Sequence, residues 1–471
     1  MNPALSLRNV RKSFPGVVAV DDVDLDLYPG EIHALVGENG AGKSTLSAIA
    51  FGELQPDAGS VVTPPGGTVG LVHQHFELIG RLRVWQNVLL GREPRRGWRI
   101  DEAAARERVL AIARRDGLEI DPDAFVETLP IGVQQRVELL RELDREPTVL
   151  LLDEPTAALA PAEIESFFAT VTQLAARGTA IMIVTHKLQE VIAYATRATV
   201  MRHGRVVERV LTAETNVDAI ARAMVGGEVP PVAARAATEK TPCLHVKDLS
   251  AGSGATRLND FFLDLRGGEI AGIAGVEGNG QSTLADALAG LIEYTGTIAF
   301  HGTLGVIPQD RQREGLVMNW SLVENTLLGR QHRKAARRGF ELDRARARQE
   351  TLAIRDGFDI RAASVDIAVK TLSGGNQQKL VAGRALIDEP DLIIAYNPTR
   401  GVDVGAASLL QSRLVEARNR GAAVVLISFE LDEILALADH VIVMYRGAVL
   451  GAFDREAFDR ATIGRLMAGS S

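Results

Sequence analysis

The sequence is poor in several features that mark particular classes of protein. Its 471 residues include one cysteine, Cys243, which excludes an internal disulfide and fits a reducing compartment. No apolar run approaches the roughly 18 residues that a membrane-spanning helix needs. The opening residues lack the charged-then-apolar order of a signal peptide, and the net charge of −8 argues against a general nucleic-acid binder. We therefore expect a multidomain globular protein, because the chain is too long for one core.

A glycine-rich stretch, GENGAGKST, fits the phosphate-binding pattern G-x-x-x-x-G-K-[ST]. The apolar run 32–36 precedes it and a helical pattern, 45–51, follows it, as this loop requires. Its backbone N–H groups can turn toward one phosphate group, and the helix N-terminus adds partial positive charge. Lys43 is predicted to reach the outer phosphates, and the Ser44 hydroxyl to ligate Mg²⁺. The predicted binding residues are Gly37, Glu38, Asn39, Gly40, Ala41, Gly42, Lys43, Ser44 and Thr45.

The chain also repeats itself, with an offset of 238 to 243 residues between matching blocks. GENGAGKST matches GVEGNGQST, LPIGVQQRV matches LSGGNQQKL, and VLLLDEP matches LIIAYNP. A steady offset over several blocks indicates two copies of one domain. We predict domains at 1–226 and 243–471, joined by the Pro-, Ala- and Gly-rich segment 227–242 as a short exposed linker.

Each copy alternates short apolar runs with helical patterns, which predicts an α/β fold with a mostly parallel sheet covered on both faces. In the first copy the predicted strands are 32–36, 149–152 and 180–184. The predicted helices are 45–51, 133–144 and 161–177. The first 35 residues alternate polar and apolar positions, so they predict a small antiparallel sheet.

Polar residues at the ends of these strands complete a candidate site. Asp153 ends a buried run beside the phosphate loop, where it can hold the Mg²⁺ shell, and the adjacent Glu154 can orient or deprotonate a water. His186 follows another buried run and is predicted to contact the terminal phosphate. Gln74 is placed to contact metal and water. Phe14 is predicted to stack on a base, although a core aromatic remains an alternative.

Between the phosphate loop and the next motif, each copy carries a charged and mostly helical insert, at 84–128 and 322–370. The second insert contains the arginine-rich run RQHRKAARRGFELDRARARQE. A solvated helical face is the main interpretation of this run. Contact with anionic lipid headgroups is the alternative.

These motifs, in this order and spacing, resemble the ATP-binding cassette ATPases over nearly the whole chain. The resemblance rests on GENGAGKST, Gln74, the second copy's LSGGNQQ, LLLDEP and His186. Tandem fusion in a chain of this length is similar to the ATPases of bacterial importers for simple sugars or nucleosides. The residues of the segments VHQHF, VWQNVLLG and IPQDRQREGLV favour the nucleoside branch. The resemblance implies ATP and Mg²⁺ as cofactors.

The second copy departs from the family at its phosphate loop. Gln281 stands at the position of Lys43. The two carboxylates are replaced by Tyr396 and Asn397, and the histidine by Phe429. Hydrolysis at this loop is therefore not expected, because one missing charge at 4 Å is worth roughly 4 kcal/mol at an effective dielectric near 20. Part of the backbone cradle remains in this degenerate site, carried by Gly275, Gly278, Gly280, Ser282 and Thr283.

The signature motif of this family, LSGGN in the second copy, is intact there and altered in the first copy. In this family two cassettes face each other head to tail, and each ATP lies between the phosphate loop of one and the signature of the other. The second copy keeps Ser373, Gly374 and Gly375, whereas the first copy reads LPIGV, in which Pro130 offers a phosphate neither hydroxyl nor N–H. The second copy also keeps Asp403, at a position that would face the opposite site. The resemblance thus implies one competent composite site and one damaged site.

We expect an ATP-hydrolysing subunit of an import complex for nucleosides, with a simple-sugar importer as the alternative. The resemblance implies two integral membrane permease subunits and an extracytoplasmic solute-binding protein as partners, no nucleic acid, and a peripheral position on the cytoplasmic face of the membrane. Two rival interpretations are a soluble tandem-cassette factor acting on ribosomes or DNA, and a nucleotide-binding scaffold that does not hydrolyse. The single damaged site speaks against the first rival, and the complete first-copy motif set speaks against the second.

Overall fold

The structure, a computed structural model, describes residues 2–15, 17–38, 40–73, 76–156, 159, 161–227, 232–236, 241–331, 337–338, 341–467 and 469. The chain forms two compact units, Met1–Val229 and Pro230–Ser471. Both are α/β, as the sequence predicts. The predicted limits of the linker, 227 and 242, stay predictions.

The central sheet of the first unit is built from continuously apolar runs. Strands Ile32–Gly37, Val149–Asp153 and Ala180–Thr185 are buried almost throughout and run parallel, which confirms the predicted strands. Burial on both faces explains why these strands lack polar alternation. The strand order across the sheet is Arg205–Leu211, Arg197–Arg202, Ile32–Gly37, Ala180–Thr185, Val149–Asp153, Val69–Val72, with an antiparallel pair at the first edge.

The small antiparallel sheet of the first unit is only partly foreseen by the sequence. Strands Leu5–Phe14 and Val17–Leu27 pair as predicted from the first 35 residues. A further strand, Ala58–Val62, joins them on the outer side of Leu5–Phe14. The prediction from the first 35 residues alone was incomplete, because Ala58–Val62 is largely exposed and carries no apolar alternation to reveal it.

Helices connect these strands, and the predicted ones are present with slightly different ends. The phosphate-loop helix begins two residues earlier than predicted, at Lys43, and the signature helix two residues earlier, at Ile131. The charged insert is mostly helical, with a short antiparallel ribbon of Arg95–Arg96 and Arg99–Ile100. The helices of the first unit are Lys43–Phe51, Val84–Val88, Glu102–Arg115, Ile131–Leu143, Pro161–Ala176, Leu188–Tyr194 and Val217–Val225, with 3₁₀ turns at Val126–Thr128 and Thr212–Glu214.

The second unit repeats this architecture. Its central sheet has the order Leu304–Ile307, Leu392–Tyr396, Ala423–Ser428, Ile270–Ala274, His440–Tyr445, Ala448–Asp454, again with an antiparallel pair at one edge. Its small sheet pairs Leu258–Arg266, Pro242–Ala251 and Tyr294–Phe300, and a ribbon pairs Arg337–Arg338 with Glu341–Leu342. The same order of elements in both units confirms the internal duplication that the sequence indicates.

The helices of the second unit also follow the first. They are Gln281–Leu288, Leu322–Leu327, Arg344–Gly357, Gly374–Leu386, Val404–Asn419, Leu431–Leu437 and Arg460–Met467. Shorter turns are the 3₁₀ segments Gly254–Thr256, Val369–Thr371 and Arg455–Ala457 and the π-helical turn Arg311–Gly315.

The arginine-rich run of the second insert is only partly covered, because residues 332–336, 339 and 340 lie outside the described residues. In the described part, Arg330 forms ion pairs with Asp388 at 2.6 Å and Glu350 at 2.8 Å, and Arg346 pairs with Glu350 at 3.0 Å. Arg348 also forms an ion pair on this surface. Arg346 and Arg348 are about half exposed, whereas Arg330 is buried, so the interpretation of the whole run as a solvated helical face stays a prediction.

Residues 232–236 of the predicted linker lie along the second unit. The Ala233 N–H donates to Ser412 at 3.1 Å, and Arg235 forms an ion pair with Asp439 at 2.8 Å. The expected exposed linker is therefore partly bonded to its own unit over these residues.

Among the described residues, helices long and apolar enough to cross a membrane are absent.

Candidate active site

The phosphate loop of the first unit joins a buried strand to a helix of nine residues that begins at Lys43. Gly42 precedes the helix with φ 98°, and a β-carbon there would collide with the carbonyl oxygen of Ala19. Only glycine meets both conditions. The N–H groups of the first helical turn have no intrahelical partners, so the loop and the helix start together form a concave set of donors that suits an anion.

Lys43 is almost fully buried in this loop, with 6% of its surface exposed. Its ammonium group donates to the carbonyl oxygens of Gly37 at 2.8 Å and Glu38 at 3.1 Å. Burial lowers the pKa of Lys43, while the nearby carboxylates of Glu154 and Asp153 act in the opposite direction. The two carbonyl oxygens thus hold the ammonium group within the loop, where its charge can pair with a phosphate.

Asp153 ends its strand beside this loop. Burial raises its pKa, and a hydrogen bond with the Ser44 hydroxyl opposes that rise. One carboxylate oxygen, Oδ1, is buried without a hydrogen-bond partner. A buried carboxylate oxygen that lacks a protein partner, next to a hydroxyl, is a donor set that fits Mg²⁺.

Glu154 and His186 lie together at the ends of neighbouring strands. His186 Nδ1 is 3.2 Å from Glu154 Oε1. Glu154 has φ 45°, and its backbone N–H donates to Val184 at 2.8 Å, which turns its side chain away from the line of the strand. Burial alone would raise the pKa of Glu154, but the His186 hydrogen bond and the charge of Lys43 outweigh it and leave the pKa below its ordinary value. A carboxylate kept ionised in this way can accept a hydrogen bond from a water and orient it, although a lowered pKa weakens it as a base.

Some of the predicted residues are not tested by this geometry. Asn39 and Gln74 lie outside the described residues. Phe14 ends its strand with 45% of its surface exposed, and Lys12 Nζ is 6.0 Å from its ring centroid. The exposure leaves the ring free to stack, so its predicted role stays a prediction.

The second unit builds the same loop with neutral groups. Gln281 is 1% exposed, and its carboxamide accepts from the Asn279 N–H at 3.0 Å and donates to the Val276 carbonyl at 3.1 Å. Asn279 also donates to the Val276 carbonyl, at 2.9 Å. Gln309 donates to the Glu277 carboxylate at 2.9 Å, which places a negative charge on the loop. The Asn279 N–H is therefore taken by the side chain of Gln281, whereas its counterpart in the first unit, the Ala41 N–H, donates to the Glu38 carbonyl at 3.0 Å.

The strand ends of the second unit carry no acid-base pair. The Asn397 carboxamide accepts from the Phe429 N–H at 3.0 Å, and its Nδ2 is buried without a partner. Tyr396 packs edge-on against Phe429, with ring centroids 5.9 Å apart, and burial raises the pKa of Tyr396. These neutral groups stand where the first unit has Asp153 and Glu154.

The two signature turns differ in chemistry as well. Ser373 caps the helix Gly374–Leu386, and its hydroxyl accepts from the Asn376 side chain at 3.0 Å. The corresponding helix of the first unit begins after Pro130, without a side-chain cap. A proline there can start a helix but offers no hydroxyl.

Sequence reasoning missed one group beside each signature. The Glu163 carboxylate occupies the space where a β-carbon on Gly132 would lie. In the second unit, Arg311 occupies the space beside Gly374, which is one position earlier in the signature than the counterpart of Gly132. A signal for Arg311 was available, because the segment from Gln309 to the insert is three residues longer than its counterpart in the first copy and is rich in charge.

The ABC transporter family model matches residues 20–157 and 258–400, one stretch in each unit. The chain belongs to the ABC transporter family. It is an ATP-binding protein of this family and an ATP hydrolase, with two tandem nucleotide-binding domains.

Curated relatives cover the whole length of the chain. It is 37% identical to a nucleoside import ATP-binding protein of Lactococcus lactis subsp. cremoris, over 99% of this chain and 98% of that protein. It is 38% identical to a guanosine import ATP-binding protein of Bacillus subtilis, over 100% and 98%. A ribose import ATP-binding protein of Rubrobacter xylanophilus is 37% identical, over 100% and 99%.

A solved structure supports the fold of the tandem chain. An archaeal ribosome recycling factor, crystallised with a ribosomal stalk protein, matches with a TM-score of 0.71 at 19% identity, covering 97% of this chain and 92% of that one. At this identity the likeness concerns the fold alone.

Proposed function

We propose that this chain energises the import of nucleosides, and that it does so with a single hydrolytic ATP site. The nucleoside and guanosine import relatives support the substrate class over the full chain length. The ribose import relative supports the alternative, a simple-sugar importer, at similar identity. Of these two substrate classes, the segments VHQHF and VWQNVLLG of this chain favour nucleosides.

The proposed site combines the phosphate loop of the first unit with the signature of the second, in the head-to-tail arrangement of the family. The observation that carries this proposal is the distribution of charge. Lys43, Asp153 and the Glu154–His186 pair are grouped in the first unit. The second unit contributes Ser373 and neighbouring glycines, whereas its own loop has Gln281 in place of the lysine and is internally bonded.

Each residue of the site has a proposed role. Lys43 and the loop N–H groups hold the phosphates, and Phe14 stacks on the base. Ser44, Asp153 and Gln74 would hold Mg²⁺, which when bound neutralises phosphate charge. Glu154 orients the attacking water and accepts its proton. Its lowered pKa keeps it ionised, and His186 fixes one of its oxygens.

The proposed partners are two integral membrane permease subunits and an extracytoplasmic solute-binding protein, with the chain peripheral on the cytoplasmic face of the membrane. Import-type relatives support this assembly. We propose no nucleic-acid partner, in keeping with the net charge of −8.

A phosphate-release assay on the full chain tests the single-site proposal. Glu154→Gln is expected to lower turnover by about 10²- to 10⁴-fold while retaining bound nucleotide, because the general base is lost and the phosphate loop is kept. The matched variant Asn397→Gln, at the equivalent strand end of the second unit, is expected to change turnover less than twofold. Equal losses in both variants would sink the proposal.

A further inference from the structure

Arg311 lies between two loops of the second unit. Its guanidinium donates to the Arg400 carbonyl at 3.0 Å. A β-carbon on Gly374 would lie 2.6 Å from Arg311 Nη2, and one on Gly401 would lie 3.5 Å from Nη1. The guanidinium therefore fills the space between the signature turn and residues 400–403, which we call the 400–403 loop. This close approach explains why the first helical position of the signature is a glycine.

The turn that carries Arg311 is fixed at several points. Asp310 caps it by accepting from the N–H groups of Gln312 at 2.9 Å and Arg313 at 3.1 Å. The Gln312 side chain donates to Gln377 of the signature helix at 3.2 Å. Arg384 of the same helix donates to the Gly315 carbonyl at 2.6 Å. With both ends of the turn bonded to the signature helix or capped, Arg311 has little freedom to leave its place.

The positive charge of Arg311 is poorly compensated. Its Nε is buried without a hydrogen-bond partner. Burial lowers its pKa, and of the two nearest charged side chains Asp310 and Arg400 act in opposite directions. An arginine nevertheless stays protonated in proteins, so a cation lies directly behind the signature turn.

The first unit also has a charged group beside its signature. There the Glu163 carboxylate lies against Gly132, and at the counterpart of Gly132 in the second unit, Gly375, the Asp403 carboxylate lies 3.5 Å from the place of a β-carbon. An anion thus stands near this glycine in both signatures, whereas Arg311 places a cation against the preceding residue of the second signature, Gly374. A cation near a phosphate-binding turn favours a phosphate.

We propose that Arg311 is a positioning residue for ATP hydrolysis, which holds the signature turn and the 400–403 loop of the second unit in one fixed relation. This inference rests on the proposed function, since it concerns the signature that serves the competent site. Arg311 lies against Gly374 of the Ser373 turn and donates to the Arg400 carbonyl of the loop that ends in Asp403. The Asp403 carboxylate caps the next helix by accepting from the Ala406 N–H at 2.7 Å. Without the contacts of Arg311, the signature turn and the 400–403 loop would move independently.

The position of Arg311 predicts which step depends on it. The phosphate loop with Lys43 lies in the first unit, so nucleotide affinity at that loop does not require Arg311. The signature turn acts on nucleotide that is already bound. Removing Arg311 should therefore lower kcat with little change in the Kd for ATP, whereas general loss of folding would affect both.

The test uses the full chain with four variants, measuring kcat, KM, the Kd of a fluorescent ATP analogue and the melting temperature. Arg311→Gln removes the charge, and Arg311→Lys keeps it with a different shape. Arg313→Gln is the matched control, because that arginine is two residues away on the same turn and its side chain is 88% exposed. Ser373→Ala reports separately on the signature.

We expect Arg311→Gln to lower kcat about 10- to 100-fold, as for losing a hydrogen bond to a charged group. Its nucleotide Kd and melting temperature should stay near those of the parent protein. Arg311→Lys should recover part of the rate, and the kcat of Arg313→Gln should stay within twofold of the parent value.

A kcat within twofold for Arg311→Gln, beside a clear loss in Ser373→Ala, would overturn the inference and leave the proposed function standing. Parallel losses of Kd and melting temperature in Arg311→Gln would also overturn it. No loss in Ser373→Ala would instead contradict the composite site.

Discussion

The two phosphate loops share a backbone design and differ in what occupies it. In the first unit a buried ammonium bonds to the carbonyls at the start of its loop. In the second unit Gln281 reaches the corresponding place but bonds to both a carbonyl and an N–H of its own loop. A lysine can only donate, and the Ala41 N–H of its loop donates to the Glu38 carbonyl at 3.0 Å, whereas the Gln281 carboxamide both donates and accepts and takes the corresponding Asn279 N–H itself. The comparison shows how one substitution can satisfy a loop internally while its fold is preserved.

The largest expected effect comes from giving the first loop the chemistry of the second. Lys43→Gln should lower ATP turnover by at least about 10³-fold, because it removes a buried charge from the phosphate site and allows the side chain to bond its own loop. Turnover and binding of a fluorescent ATP analogue measure this. The reciprocal variant Gln281→Lys should restore no hydrolysis, since Asn397 still stands where a carboxylate is needed. Gain of turnover in Gln281→Lys, measured in a Glu154→Gln background, would contradict this view of the second loop.

A smaller effect is expected from the strand-end histidine. His186→Phe, which copies Phe429 of the second unit, should lower kcat about 10- to 100-fold, because Glu154 loses its hydrogen bond. The carboxyl pKa should then rise, since the bond that keeps it low is gone. The acidic limb of the pH–rate profile should shift to higher pH, and an unshifted limb would refute the role given to the pair.

The smallest effect is expected at the damaged signature. Pro130→Ser restores a hydroxyl and a helix cap at the first unit's signature. Turnover should change less than twofold, because the loop that this signature would serve in the family arrangement lacks its charged groups. Thermal unfolding is the companion measurement, and a modest rise in melting temperature is expected from the new cap. A large gain in turnover would show that the second site is limited by its signature instead of its loop.

Much of this fold could be predicted from the sequence, because its core strands are uninterrupted apolar runs bounded by recognisable loops. The phosphate-loop strand, Asp153 and His186 could all be placed for this reason. Strand Ala58–Val62 could not, since it is mostly exposed and pairs only through its backbone. Local pattern carries no information on such pairing.

The contacts of the groups beside the signatures were also beyond reach of sequence reasoning, although the longer and charged segment that carries Arg311 offered a signal. Arg311 and Gly374 are far apart in the chain and meet only through the packing of the π-helical turn on the signature helix. Glu163 reads as an ordinary acidic residue in the first turn of a helix, where acidic residues are common. Glu163 and Arg311 are recognised only in the structure, because each occupies the space that a β-carbon on the adjacent glycine would fill.

The most direct test of the central claim counts the nucleotide trapped during turnover. With Mg-ATP and vanadate, we expect the full chain to trap one ADP per molecule, with a photoreactive analogue labelling the peptide that contains Lys43. Ser373→Ala should abolish the trapping, although that serine belongs to the other unit, and Asn397→Gln should leave it intact. Two trapped ADP molecules per chain, or labelling beside Gln281, would contradict the account.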